Sequence, residues 1–137
     1  MGVVYAEIIL KNAADVASVQ RGYITEKEVR AVTVRAMVDT GCGTLVINEE
    51  VRNALGLTIE GLRGGTLANG VRQVCQVTEP VRVCWKNRSM TCQALTLPGG
   101  GDVLLGAIPL EDMDLIVNPA GQELTGAHGD EVLCMIK

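Results

Sequence analysis

One acidic turn between two apolar segments is the best candidate in this chain for chemistry. Asp39, Thr40 and Gly41 follow an alternating apolar run that ends at Val38, and a second apolar run begins at Leu45. An ionised carboxylate beside apolar walls loses part of its hydration, which costs free energy unless the group is used. Asp39 is therefore a candidate for acid–base chemistry. The structural alternative is an ordinary turn aspartate that caps its own loop.

The segments around this turn predict strands and one short helix. Alternating or continuous apolar residues predict strands over residues 3–10, 29–39 and 45–47. A helix is predicted over residues 49–55, because Asn48 can cap its first turn and Gly56 can end it. Residues 11–22 fit a short helical turn or a surface loop about equally well.

A glycine-rich hairpin follows in the middle of the chain. Asn69 and Gly70 form a strong two-residue turn signal, because both residue types tolerate positive φ. We predict the arms of this hairpin at residues 66–67 and 71–77.

The last third of the chain predicts further strands and a second helix. Apolar runs predict strands over residues 81–85, 90–97, 103–106 and 131–136. Pro109 stands where a first helical residue belongs, which predicts a helix over residues 109–116. Residues 119–130 are predicted to be a loop.

The composition excludes several classes of protein. The chain has 137 residues, of which 47% are hydrophobic and 2% aromatic, so we expect a single domain over residues 1–137 with an aliphatic core. The formal net charge of −4 argues against nucleic acid or an anionic membrane as partner. Five cysteines without a CxxC pair, no long apolar segment and no basic leader predict a soluble, cytoplasmic protein.

The order of these elements resembles the retropepsin fold. Asp39-Thr40-Gly41 matches the first motif of the aspartic peptidases of clan AA, and Leu104-Leu105-Gly106 matches the second, an apolar pair and a glycine before a helix. The Asn69-Gly70 hairpin lies between the two motifs, where the family has its flap. The resemblance covers nearly the whole chain and is nearest to the small prokaryotic retropepsin-like proteins. It implies a mostly β fold, a closed β-barrel with one or two short helices and a flap hairpin.

The resemblance also implies a mechanism that one chain cannot perform alone. In this family two carboxylates share a proton, activate a water and hydrolyse a peptide bond. With one Asp-Thr-Gly per chain, the second Asp39 has to come from a second copy, so a homodimer is implied. Thr40 would bond across the dimer, Gly41 would offer its N–H, and residues 131–136 would form the main dimer sheet. A peptide or protein substrate is expected, with no cofactor and no metal.

The remaining site residues are implied by the same resemblance. The flap and the second motif would bind the substrate through Leu67, Ala68, Asn69, Gly70, Val71, Leu104, Leu105 and Gly106. Retroviral members carry an acid and a base at the places taken here by Gly43 and Ala107, so other contacts must hold the dimer. Cys42 stands where Ala, Ser or Thr is usual. Because a thiol is a weak donor, we expect Cys42 to stabilise an ionised Asp39 poorly and to be a possible redox modulator.

Two alternatives accompany this interpretation. A catalytically inactive dimer with the same fold could bind peptides or a partner protein without hydrolysing them. His128 could pair with a cysteine or hold a metal, but a single histidine among glycines is more often a surface loop residue. Asp112 and Asp114 are predicted to lie on the solvated side of the second helix.

Overall fold

Short strands dominate the architecture, and three short helices connect them. The computed structural model describes residues 3–118, 120–134 and 136. The strands are β1 Val4–Asn12, β2 Ala31–Val38, β3 Leu45–Ile47, β4 Ile59–Thr66, β5 Arg72–Trp85, β6 Arg88–Thr96, β7 Leu104–Leu105, β8 Leu115–Asn118 and β9 Glu123–Gly126. The helices are α1 Ala13–Gln20, α2 Glu49–Leu55 and α3 Ala107–Asp112, and a 3-10 turn spans Glu26–Glu28. The predicted mostly β fold is confirmed, with three α-helices where one or two were expected.

Six of the strands close a ring of hydrogen-bonded pairs. Their order is β1-β2-β7-β3-β6-β5, and β5 pairs again with β1. β4 extends the sheet beyond β5, while β8 and β9 form a separate two-stranded sheet. Inside the ring the core is aliphatic, since Leu10, Leu45 and Leu105 are all fully buried. Among the described residues no helix has the length and apolar character needed to cross a bilayer.

Local capping explains where the sequence predictions were most accurate. The strand at residues 45–47 and the helix at residues 49–55 are confirmed. Asn48 accepts a hydrogen bond from the Val51 N–H at 2.9 Å, and Gly56 ends the helix with φ of +62°. The ambiguous segment 11–22 contains helix α1, whose first turn is capped by the Asn12 side chain.

The hairpin arms are longer than predicted. β4 begins at Ile59, so the first arm is not confined to residues 66–67. β5 runs without interruption from Arg72 to Trp85, so the two segments predicted on either side of Pro80 are one strand. A shift in register between Val77 and Pro80 accommodates the proline, which has no N–H to donate to the ladder.

The C-terminal third departs most from the prediction. Helix α3 begins at Ala107 and ends at Asp112, and Asp114 has φ of +55°, which a continuing helix does not allow. The helix predicted over residues 109–116 was therefore wrong at both ends, and Pro109 is its third residue instead of its first. The predicted loop at residues 119–130 contains β9. No strand forms within the described part of residues 131–136, where Glu131 makes only an isolated bridge to His128. Met135 lies outside the described residues.

Candidate active site

The Asp39 turn is closed by two hydrogen bonds between its own residues. The Cys42 N–H donates to the Asp39 carbonyl at 3.0 Å and closes a four-residue turn. The Gly41 N–H donates to Asp39 Oδ1, also at 3.0 Å. Within the described residues no other protein group bonds to this carboxylate, so Oδ2 is left without a protein partner. Asp39 is half-buried, and Thr40 and Gly41 are exposed, so the turn can reach an external molecule.

The second apolar motif holds the backbone of this turn. β7 lies between β2 and β3, parallel to the first and antiparallel to the second. The Asp39 N–H donates to the Leu105 carbonyl at 3.0 Å, and the Leu105 side chain is fully buried. The structure therefore brings Leu104 and Leu105 directly beside the residues that lead into Asp39.

Gly106 lets helix α3 begin against the same turn. A Cβ atom on Gly106 would lie 2.6 Å from the Cys42 carbonyl oxygen and 2.7 Å from the Thr44 nitrogen, which no side chain tolerates. Because this space is free, the Ala107 N–H reaches the Cys42 carbonyl at 2.8 Å, and the Ile108 N–H reaches the Gly43 carbonyl at 3.1 Å. Backbone hydrogen bonds thus hold the loop after Asp39 in place. They lie at Gly43 and Ala107, the two positions where retroviral members carry an acidic and a basic side chain.

The Cys42 thiol lies beside the turn but donates its hydrogen bond to a backbone carbonyl and not to the Asp39 carboxylate. Its Sγ donates to the Thr44 carbonyl at 3.4 Å, and Cys42 is half-buried. This bond directs the thiol to the following loop instead of the Asp39 carboxylate. A redox role for Cys42 stays a prediction.

The hairpin tip is built around a single glycine. The Gly70 N–H donates to the Leu67 carbonyl at 2.9 Å, and the Leu67 N–H donates to the Val71 carbonyl at 2.8 Å. Asn69 Oδ1 accepts the Val71 N–H at 3.0 Å. Positive φ occurs at Gly70 (+83°) and not at Asn69, which is the pattern of a three-residue loop with a glycine bulge. No hydrogen bond between described residues joins Leu67, Ala68, Asn69, Gly70 or Val71 to the Asp39 turn.

A second aspartate, Asp114, is held by the fold through one of its carboxylate oxygens. Its Oδ2 accepts the His128 Nδ1 at 2.7 Å and the Leu133 N–H at 3.0 Å, and its side chain is 13% exposed. The hydrogen bond from His128, followed by that from Leu133, holds the pKa of the Asp114 carboxyl below its ordinary value. His128 is exposed, as predicted, but Asp114 is not on the solvated side of a helix. It joins the end of α3 to the segment after β9.

Arg88 is a buried cation that the sequence reasoning missed. It lies between the strands predicted over residues 81–85 and 90–97, and the residue is only 6% exposed. Its Nη1 donates to the Met113 and Asp114 carbonyls at 3.1 and 3.0 Å, and its Nη2 donates to Gly129 at 2.8 Å. The strand alternation contained the signal, because Arg88 has the same parity as the buried Met90. These bonds fix the separate β8–β9 sheet to the ring.

The other reactive residue types form no obvious second centre. Burial raises the pKa of the Cys92 thiol to about 11, with a smaller contribution from the charge of Asp112, so this thiol is poorly nucleophilic at neutral pH. Within residues 3–118, 120–134 and 136, no three His, Cys, Asp or Glu side chains are grouped closely enough to hold a metal ion.

A shallow depression adjoins the Asp39 turn. It has a volume of about 480 Å³, and its lining includes Thr40, Leu110, Ile116, Val117 and Ala127. Ile116 is 52% exposed although it belongs to β8. The exposed Ile116 side chain and Thr40 therefore line the same depression, next to the candidate carboxylate.

Comparison with known proteins agrees with these motifs. The sequence profile of the family described as aspartyl protease matches residues 25–108, more than half of the chain. The EIAV protease complexed with the inhibitor HBY-793 is similar in structure, with a TM-score of 0.54 and 17% identity over 81% of this chain and 88% of that one. The retroviral protease-like domain of Ddi1 from Leishmania major has a TM-score of 0.52 and 14% identity, over 91% and 88% of the two chains.

A third solved structure is a retropepsin-like aspartic protease from Rickettsia conorii. Its TM-score is 0.45, with 15% identity over 86% of this chain and 89% of that one. No curated protein matches the chain. The two similarities above a TM-score of 0.5 establish the fold as that of the retropepsins.

Proposed function

The chain belongs to the aspartyl protease family, and on this premise we propose that it is a homodimeric aspartic endopeptidase. The observation that carries the proposal is the Asp39 carboxylate. One of its oxygens is fixed by the Gly41 N–H, while the other has no partner among the described residues. A half-buried carboxylate held in this way by a rigid backbone is suited to bind and activate a water.

The chemistry requires two such carboxylates. When two carboxyl groups lie close together, they cannot both ionise, so they share one proton. The ionised partner then acts as base toward the water, while the protonated partner donates to the carbonyl oxygen of the peptide bond. The chain contains one Asp-Thr-Gly sequence. Two copies related by a two-fold axis would supply both groups, and each monomer alone would be inactive.

The separate β8–β9 sheet is our candidate for the main dimer contact, in place of the strand predicted at residues 131–136. A two-stranded sheet outside the ring has two open edges, and such edges are normally covered. Its exposed Ile116 and the adjacent Thr40 line the same depression. A second copy seated there would cover the apolar side chain and bring the two Asp39 turns toward each other.

The other predicted site residues take their roles from this arrangement. Thr40 would bond to the partner chain, and the Gly41 N–H would keep the carboxylate in position. Leu104, Leu105 and Gly106 were predicted to bind the substrate, but because Leu105 and Gly106 are buried we propose that this motif supports the turn instead. The hairpin tip, from Leu67 through Val71, would close over a bound peptide and exclude water.

Cleavage of a mixed peptide library tests the proposal. We expect the wild-type protein to cleave a subset of peptides, pepstatin to inhibit it, and Asp39→Asn to abolish cleavage. Asp102→Asn is the matched control, because it removes the same charge from an exposed residue outside the turn. Cleavage that survives Asp39→Asn would refute the assignment of Asp39. Peptide binding without cleavage by the wild type would favour the alternative, a non-hydrolytic peptide-binding dimer.

A further inference from the structure

The two faces of the β4–β5 hairpin differ in burial. Cys75 and Val77 point to one face and are only 4% and 6% exposed. Arg72 and Val74 point to the opposite face and are exposed. We call the face of Cys75 and Val77 the inner face. If the hairpin closes over a peptide, its inner face lies against that peptide.

Arg63 is the only side chain that β4 places on the inner face between residues 61 and 65. In the antiparallel ladder Gly61 lies opposite Val77, and Arg63 lies opposite Cys75. Residues directly opposite each other share one face of a sheet. Gly65 follows two residues later on the same face. On its inner face, β4 therefore has one side chain, that of Arg63, between two glycines.

The packing of the chain itself does not require these two glycines. A Cβ atom on Gly61 would meet no atom within 4 Å, and one on Gly65 would make ordinary contacts at 3.7 and 3.8 Å. Neither residue has the positive φ that favours glycine. Glycine weakens a strand interior, and in a strand it also marks places where another backbone approaches closely. A peptide lying across the inner face is such a backbone.

The charge of Arg63 is uncompensated within the described structure. Its side chain is exposed and takes part in neither of the two ion pairs formed by described residues. Arg63 and Arg72 are the only charged residues from 61 to 77, although the whole chain carries a net charge of −4. A guanidinium pairs best with a carboxylate, since its planar N–H groups match both oxygens.

We propose that Arg63 recognises an acidic side chain of a peptide held under the β4–β5 hairpin. The inference rests on the proposed function, because that function places a peptide on the inner face. A symmetric dimer has two such hairpins, so it presents one Arg63 on each side of the cleaved bond. Substrates should then carry Asp or Glu at two positions that flank this bond.

A charge-reversal experiment tests the proposal. The best-cleaved peptide of the library is resynthesised with each flanking residue in turn as Glu, Gln or Lys, and kcat/KM is measured for every variant. At the position that meets Arg63 we expect Glu to exceed Gln by about tenfold, because a charge-assisted pair forms in a water-poor cleft. Arg63→Glu should reverse the order so that Lys is preferred, and Arg63→Lys should retain part of the preference for Glu.

The opposite face of the same strand pair supplies the control. Arg72→Glu makes the same change of charge on the outer face, so the preference for Glu should survive it. A flat response at every flanking position, or an equal response to Arg63→Glu and Arg72→Glu, would overturn the proposal. Cleavage that persists without a charge preference refutes the role of Arg63 and leaves the proposed function intact.

Absence of any cleavage would instead contradict the proposed function. The role of Arg63 would then be tested on the library peptide that the wild-type protein binds most tightly, resynthesised with the same Glu, Gln and Lys substitutions and measured by fluorescence anisotropy. Tighter binding of the Glu peptide, lost in Arg63→Glu and kept in Arg72→Glu, is the expected result. Equal binding of the three peptides would overturn the inference.

Discussion

Asp39 and Asp114 both lie at turns, and the fold holds their carboxylates to different extents. Asp114 Oδ2 accepts hydrogen bonds from His128 and Leu133, and its carbonyl also accepts bonds from the Arg88 side chain and from the backbone. Asp39 accepts one bond, from Gly41 within its own turn. The first carboxylate is therefore part of the scaffold. The second accepts a single bond, from a backbone N–H of its own turn, and the two residues that follow it are exposed, so it stays open to an external molecule.

The largest difference between the two aspartates should be in kcat, which we compare by substituting each of them with asparagine. Asp39→Asn removes the base that activates water, so we expect kcat to fall by about a thousandfold or more. Asp114→Asn should leave kcat within a few-fold of the wild-type value when the protein is concentrated enough to be fully dimeric. Steady-state cleavage of one peptide by both variants measures the difference. Equal losses in the two variants would mean that the contrast between the turns has no functional meaning.

Gly106, which packs against the Asp39 turn, should be sensitive to substitution in the free energy of unfolding. Gly106→Ala forces a methyl group against the Cys42 and Thr44 backbone, so we expect a loss of about 3 kcal/mol in the free energy of unfolding. Gly43→Ala is the control in the same loop, because its Cβ would meet no atom within 4 Å. Urea unfolding measures both variants. If Gly43→Ala were as harmful as Gly106→Ala, close packing at Gly106 would not be the cause.

Asp114→Asn should have a smaller effect on stability, and one that depends on pH. The pKa of Asp114 is lowered in the folded state by the hydrogen bonds from His128 and Leu133. Its contribution is therefore present above the unfolded pKa of about 4 and is lost as the pH falls through the lower folded pKa. Unfolding midpoints of wild type and Asp114→Asn should differ at pH 6 and converge below pH 4. A difference that grows at low pH would contradict this role.

The stability of Asp39→Asn at pH 6 provides the comparison with the other turn. Because the Asp39 carboxylate accepts only one bond from a backbone N–H, its substitution should change the unfolding midpoint less than Asp114→Asn does at pH 6. The same denaturation series measures both variants. A greater loss of stability in Asp39→Asn would place Asp39 in the scaffold and remove the basis of the comparison.

The sequence revealed the site where the signals were local. Asn48 and Gly56 defined α2, and the Asp39 turn was identified from its own three residues and the apolar runs on either side of them. Family membership followed from the same residues.

Contacts between distant residues could not be predicted in this way. Asp114 and His128 are fourteen positions apart, and nothing in either residue type indicates their hydrogen bond. The apolar spacing of Leu110, Met113 and Val117 looked helical, but Asp114 reverses the backbone between them and Val117 belongs to β8. The burial of Arg88 could not be predicted from its type, because arginine is rarely buried and its partners here are backbone carbonyl groups, which every residue has.

Subunit mixing tests the central claim, that two chains share one active site. Wild-type protein is mixed with a ninefold excess of Asp39→Asn and allowed to exchange subunits, with Asp102→Asn as the control additive. If each active site needs one Asp39 from each chain, random pairing leaves about a tenth of the wild-type chains in active dimers, and the activity falls to about a tenth. Asp102→Asn keeps its own Asp39, so the same excess should raise the total activity in proportion to the added protein. Activity that stays unchanged in the excess of Asp39→Asn, after exchange has been demonstrated, would contradict the shared site.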